Sequence, residues 1–420
     1  MSLALEGIIM KVIRLILMLA ALSFMAGSVE VMAQESKEGD KRHPSYNLIG
    51  RDAQSAESPL NPNFVVAEEA KLSESGFWRS PYITARLVGL VVTDVDRDGR
   101  NEVLYATTKS VHVSRYEGGR LVQLASYDVG IGERLSSLDV FDANKDGRQE
   151  IFACIQGDSI KGGSIILHYD NGSLSRAVES VIPWYLRVVH GPGGRELVGQ
   201  KPAVSGDEVF TGNVMRMSFD GQNIKSQGRM DVPSGGNAFN FAFGRLGSSN
   251  KSMSAMIKWP SEHLFIYEGK DRAWESREEY GGTMTVLEPP VKNSTASGAT
   301  PKRFFMPSRI IIYDIDGDGQ NELIVAKNDR GGVPFMSNLR AFTSGTIQAF
   351  KYANLSLTPF FRTRTLPGPA VDYALADFDN NGSLDMVVAV MMEQESGMMQ
   401  DGRSVIVAYE ISPGPAAKKK

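Results

Sequence analysis

The chain has 420 residues, 22% of them charged, and a formal net charge of −4, so nothing in it forms the basic footprint of a nucleic-acid binder. A single cysteine, Cys154, excludes an internal disulfide framework. With 42 glycines and no long apolar period of 3.6 residues, the composition points to tight hairpins and against helices.

The first segment reads as an export signal. Lys11 and Arg14 precede an apolar run from Leu15 to Ala26, with Met10 as the start. Val31-Met-Ala33 then offers small residues for cleavage before Gln34. The run is too short, and too interrupted by Lys11 and Arg14, to span a membrane. No cysteine lies just after it, so no lipid anchor is expected. Residues 1–33 are expected to be a signal peptide, 34–62 a flexible leader, 63–412 the folded region and 413–420 a disordered tail. The expected location is the periplasm, the outer surface or the extracellular space, with no transmembrane anchor.

Acidic loops of nine residues come next, four in all, each between apolar runs. Positions 1, 3, 5 and 9 are Asp94, Asp96, Asp98 and Glu102 in the first, and Asp142, Asn144, Asp146 and Glu150 in the second. They are Asp314, Asp316, Asp318 and Glu322 in the third, and Asp377, Asp379, Asn381 and Asp385 in the fourth. Position 6 is always glycine, which permits the sharp turn that brings these oxygens together. An all-oxygen cage of flexible geometry suits a hard dication and favours Ca2+ over Mg2+. About four calcium ions are expected on this count. An EF-hand would need a Glu at position 12 and helices on both sides. Position 12 is Tyr105, Ala153, Val325 or Val388, and runs such as Val103-Leu-Tyr-Ala and Leu323-Ile-Val-Ala read as buried strands. Each loop therefore joins two strands of one sheet.

The loops recur at about 50 to 60 residues, a period that indicates a propeller. Two degenerate units fill the gap between Asp142 and Asp314. Residues 188–198 keep Gly193 and Glu196 but lack the other acids, and Phe241–Gly244 with Ala255–Trp259 keeps only the strand pair. Third strands follow at Gly163–Tyr169, His263–Tyr267 and Gly345–Tyr352, and a fourth at Pro359–Arg364. The last unit runs out after Val405–Ile411, and Gly76–Pro81 is expected to supply its missing strand. The expected fold is an all-β propeller of six four-stranded blades, closed by strands from both termini. The count becomes seven if 62–70 nucleates another sheet. The turn-rich segment 288–298 reads as a mobile connection between blades.

These loops and their flanking strands resemble the FG-GAP/VCBS repeat family, whose calcium-loop propellers include the integrin α-subunit head. Residues 94–102, 142–150 and 314–322 match the family core at every ligand position, and 377–385 departs only at Asn381. The resemblance covers roughly 76–412 and is nearest to exported bacterial members. It implies structural calcium on one face of the ring, and loops between second and third strands on the other.

Those second-to-third connections are long at 201–211, 327–344 and 391–403. Long loops on a rigid ring tend to carry function. Arg330, Phe335, Arg340 and Phe342 offer cation and aromatic surface, and Met391, Met392, Met398 and Met399 offer adaptable apolar surface. A protein or glycan partner is expected on this face. No His-Glu-x-x-His, Gly-x-Ser-x-Gly or phosphate-binding Gly-Lys-Ser/Thr motif occurs, so no catalytic residue is assigned. The expected function is a non-catalytic binding or assembly module at the cell envelope. A polysaccharide lyase or hydrolase, or a lectin, is the alternative on the same fold.

Overall fold

The structure is a computed structural model that describes residues 77–157, 162–191, 194–247, 251–290, 303–331, 340–393 and 402–411. The expected signal peptide, leader, tail and extra sheet at 62–70 lie outside these residues, as do Gly76, Phe335, Met398 and Met399. Among the described residues there is no helix, and none long and apolar enough to cross a membrane.

Six antiparallel four-stranded sheets form the blades of a β-propeller. Blade 1 comprises Leu87–Thr93, Glu102–Thr107, Ser110–Glu117 and Arg120–Asp128. Blade 2 comprises Glu133–Phe141, Glu150–Gly157, Gly163–Asp170 and Ser173–Arg176. Blade 3 is built from Tyr185–Gly191, Gly194–Pro202, Phe210–Phe219 and Ile224–Arg229, and blade 4 from Phe241–Gly244, Met253–Lys258, His263–Glu268 and Asp271–Glu279. Blade 5 holds Ile311–Tyr313, Glu322–Gly331, Ala341–Ala353 and Ser356–Arg362. Blade 6 takes Ala370–Ala376, Leu384–Glu393 and Arg403–Ile411 from the end of the chain and Phe77–Arg79 from the beginning.

That last pairing closes the ring as expected. Phe77, Trp78 and Arg79 lie opposite Tyr409, Ala408 and Val407. Ser80 extends the seam, its amide donating to the Ile406 carbonyl at 2.8 Å. Trp78 packs between Tyr116 of blade 1 and Phe378 of blade 6, with ring centroids 5.6 and 4.9 Å away. A closed ring leaves no sheet edge between first and last blade to recruit another chain.

The core lies between blades. Second strands are sandwiched on both faces, so they read as continuous apolar runs. Ile151, Phe152, Ala153, Cys154 and Ile155 are all fully buried. Burial also pushes the Cys154 thiol up, away from thiolate chemistry. Fourth strands lie outermost, and Ile224–Arg229 is mostly exposed. First strands neighbour one another around the axis. Their approach is close enough that a Cβ on Gly89 would sit 2.6 Å from Leu138 Cβ, so only glycine fits there.

Between blades 4 and 5, Val286–Leu287 pairs with Phe304–Phe305. Leu287 and Phe304 then pack with Cys154, Tyr185, Val209 and Phe239 of blades 2 and 3 and their connections. The expectation of a mobile connection fails at its start. Glu288 is pinned by Gln156, which accepts from its amide at 3.2 Å and donates to its carbonyl at 3.1 Å. Residues 291–300 lie outside the described residues.

Candidate metal centre

Each acidic loop joins the first and second strands of its blade, and the four share one hydrogen-bond pattern. The position 1 carboxylate accepts from the position 6 glycine amide: Gly99 to Asp94 at 3.0 Å, Gly147 to Asp142 at 2.8 Å, Gly319 to Asp314 at 2.8 Å and Gly382 to Asp377 at 2.9 Å. These glycines have φ between 84° and 88°, the left-handed region that other residues rarely enter. Position 3 accepts from the amide of position 5, and position 5 from that of position 7. Positions 3 and 5 each spend one oxygen on the backbone, whereas Asp94, Asp314 and Asp377 at position 1 spend both, and Asp142 alone keeps a free Oδ1.

Position 9 begins the second strand and reaches back. Glu102, Glu150, Glu322 and Asp385 each accept from the position 2 amide, at 3.0, 2.8, 3.1 and 2.7 Å. All four are buried. Burial, the largest influence, pushes their carboxyls up, to about 7 for Glu322 and Asp385. Oxygens of Asp94, Asp96 and Glu102 lie within 4.8 Å of one another, as do those of Asp314, Asp316 and Glu322 and of Asp377, Asp379 and Asp385. The tight triads are therefore positions 1, 3 and 9. Asp98, Asp146, Asp318 and Asn381 at position 5 each commit an oxygen to the turn. In the second loop Asn144 also donates to Asp146 at 3.0 Å.

The donor sets fit a hard divalent cation. Asp142 Oδ1, Glu150 Oε1 and Glu322 Oε1 are buried without a hydrogen-bond partner, which is costly unless a cation satisfies them. Acidic clusters of this composition can bind a metal ion.

Position 8 ties three of the four loops to the preceding blade; in the fourth it is the apolar Leu384. Asn101 donates to the Asp377 carbonyl at 2.8 Å and its amide donates to Asn380 at 2.5 Å, joining blade 1 to blade 6. Gln149 reaches Thr93 of blade 1 at 3.4 Å, and Asn321 reaches the Arg245 carbonyl beside blade 4 at 2.9 Å. A loop that loses its shape therefore loosens two blades. In degenerate blade 3 a side chain meets the position 9 acid: Arg216 donates to Glu196 at 3.0 Å.

The opposite face corrects part of the expected partner surface. Phe342 is buried and Arg340 nearly so. Strands reach further into this connection than the sequence suggests, to Gly331 and from Ala341. Arg340 pairs with buried Glu262 at 2.5 Å and stacks 4.8 Å from Trp259 and 4.0 Å from Phe305. Arg330 is half exposed but bonded to Glu262 and Glu279 at 2.7 and 2.8 Å. Met391 is buried between blades 6 and 1 and Met392 is partly buried. These side chains build the rim rather than offer it. Among the described residues the large apolar groups exposed at this end are Tyr82, Ile131 and Val204; Val204 lies in the long 201–211 connection, whereas Tyr82 and Ile131 lie on connections the sequence did not single out.

Sequence reading also missed the residue that faces each loop from the third strand: Arg115, His168, Lys351 and Glu410. A signal was present, since Arg115, His168 and Lys351 each precede a tyrosine near the strand end.

Residues 94–153, which span the first two loops, match the FG-GAP-like repeat model. No curated protein matches the chain. Among solved structures, the soluble aldose sugar dehydrogenase of Escherichia coli in its apo form is 12% identical, with 80% of this chain and 99% of that one covered and a TM-score of 0.41. A glucose dehydrogenase is 10% identical, with 79% and 98% covered and a TM-score of 0.39. Similarity at that level carries nothing about activity. The chain thus holds an FG-GAP-like repeat at residues 94–153, set within a six-bladed β-propeller.

Proposed function

We propose that this protein is an exported, calcium-stabilised propeller that binds a protein or glycan partner and catalyses no reaction. The observation that carries the reading is the clustering of carboxylate oxygens in the acidic loops, with Asp142 Oδ1, Glu150 Oε1 and Glu322 Oε1 buried and without a hydrogen-bond partner. Calcium suits them because the ligands are all oxygen and come from a flexible turn. Extracellular modules of this kind bind at about 10⁻⁴ to 10⁻³ M, where calcium is abundant only outside the cytoplasm. FG-GAP repeats are typical of extracellular proteins, which agrees with the export signal read at residues 1–33.

The non-catalytic part rests on the described side chains. Ser110 Oγ and His112 Nε2 are 2.7 Å apart, the one pairing that looks like a nucleophile and its base. Its third member is Gln123, a neutral amide that brings no counter-charge to the imidazole. Ser110 is also buried and shares its hydroxyl with Thr107 at 2.9 Å. Partner binding is assigned to the face opposite the acidic loops, where Tyr82, Ile131 and Val204 stand exposed.

The test uses the full chain, crosslinked in its native envelope, beside Ile131→Asp/Val204→Asp and a control, Leu355→Asp, on the other face. Partner capture should fall only in the first variant. Equal capture by all three, or turnover of any polysaccharide in a panel, contradicts the reading.

A further inference from the structure

Each acidic loop is faced by one third-strand residue, and its charge changes from blade to blade. In blades 1, 2 and 5 it lies one step beyond the cross-strand pairs Val103–Ser114, Ile151–Leu167 and Leu323–Phe350. In blade 6 it is the direct partner of Asp385. The four residues are Arg115, His168, Lys351 and Glu410: two cations, an imidazole and an acid.

The cations sit where an ion would. Arg115 Nη2 is 3.1 Å from Asp96 and 2.8 Å from Asp98, and also bonds Glu102. A single nitrogen thus meets three of the expected ligands, on a side chain only 7% exposed. Lys351 Nζ is 2.8 Å from Asp316, 2.6 Å from Asp318 and 3.7 Å from Glu322. In blade 2, by contrast, His168 Nε2 and Glu150 Oε1 stand 3.6 Å apart, both buried and without hydrogen-bond partners, beside the orphaned Asp142 Oδ1. In blade 6 oxygens of Asp377, Asp379 and Asp385 lie within 4.8 Å of one another, and the facing residue is itself an acid, Glu410.

We infer that Arg115 and Lys351 take the place of the ion in blades 1 and 5, leaving blades 2 and 6 as the loops that need one. This rests on the calcium reading above and narrows it from four equivalent loops to two. The physical reason is competition. A dication entering blade 1 must displace a guanidinium that already makes charge-assisted bonds to the same oxygens, or share their field with it at repulsive distance. In blade 6 the carboxylates repel one another until a dication enters. In blade 2 His168 Nε2 makes no hydrogen bond to the loop's carboxylates, so no bonded group has to be displaced.

The test is the number of calcium ions bound by the full chain, stripped with chelator and measured by equilibrium dialysis against labelled Ca2+. Wild type should bind two. Asp385→Asn should bind one, and Asp96→Asn should still bind two. Arg115→Gln and Lys351→Gln should each bind three, because the vacated cation position becomes available. Should either glutamine variant fail to fold, the wild-type and Asp96→Asn counts decide alone. Four ions in wild type, or loss of one in Asp96→Asn, overturns this assignment while leaving the calcium reading intact. No bound calcium in any protein overturns both.

Discussion

Arg309 and Asp372 form a two-pronged ion pair between neighbouring blades, with Arg309 Nη2 2.6 Å from Asp372 Oδ2. Asp372 also accepts the Leu90 amide of blade 1 at 2.8 Å. The same guanidinium donates to the carbonyls of Leu90 and Leu138 at 3.3 Å and lies 3.6 Å from Asp139. One side chain from the start of blade 5 thus joins the first strands of blades 6, 1 and 2. Removing one partner of such a pair strands the other charge. Arg309→Ala should cost about 3 kcal/mol, read from denaturant unfolding. A loss no larger than that of an ordinary surface substitution would show that the axis is held by packing alone.

Ring closure depends on Trp78. Its ring fills the seam between Tyr116 and Phe378, and its indole N–H donates to the Gly119 carbonyl at 2.7 Å. Trp78→Ala should destabilise the fold by roughly 3 kcal/mol, whereas Trp78→Phe should recover most of that. Equal stability of all three proteins would mean that the terminal strand is dispensable.

Calcium-free protein should lose stability as pH rises. Burial pushes the Glu322 and Asp385 carboxyls up to about 7, above their ordinary unfolded range. Between that range and neutrality the folded state holds more protons than the unfolded one, so unfolding releases protons and stability falls with pH. In chelator the protein should melt lower at about pH 8 than at about pH 5, and calcium should remove the share due to Asp385, where the ion replaces the proton, while leaving that due to Glu322. Calorimetry across this window checks it. A chelated protein that grows more stable over the same window contradicts the assignment.

Much of the architecture was legible because its signals are local. Asp94 to Glu102 carries every feature of its turn within nine residues, and the strands beside it are apolar runs that need no partner to recognise. Closure by Phe77–Arg79 was legible from its likeness to the strand before blade 6. What escaped depends on register or on distant contact. That Lys351 faces Glu322 follows only once Leu323 is known to pair with Phe350. Arg309 sits in a short connection with no periodicity, and its role exists only because four blades converge there. Arg340 and Phe342 read as loop surface because their burial depends on distant residues, Glu262 and Trp259 for Arg340 and Gly282 for Phe342.

Thermal unfolding of the full chain in calcium, in chelator and in magnesium tests the central claim most directly. Each ion held tenfold above its dissociation constant contributes about 1.4 kcal/mol, so chelation should lower the melting temperature visibly. Calcium should restore it and magnesium should not. One melting temperature shared by all three conditions would contradict structural calcium in these loops.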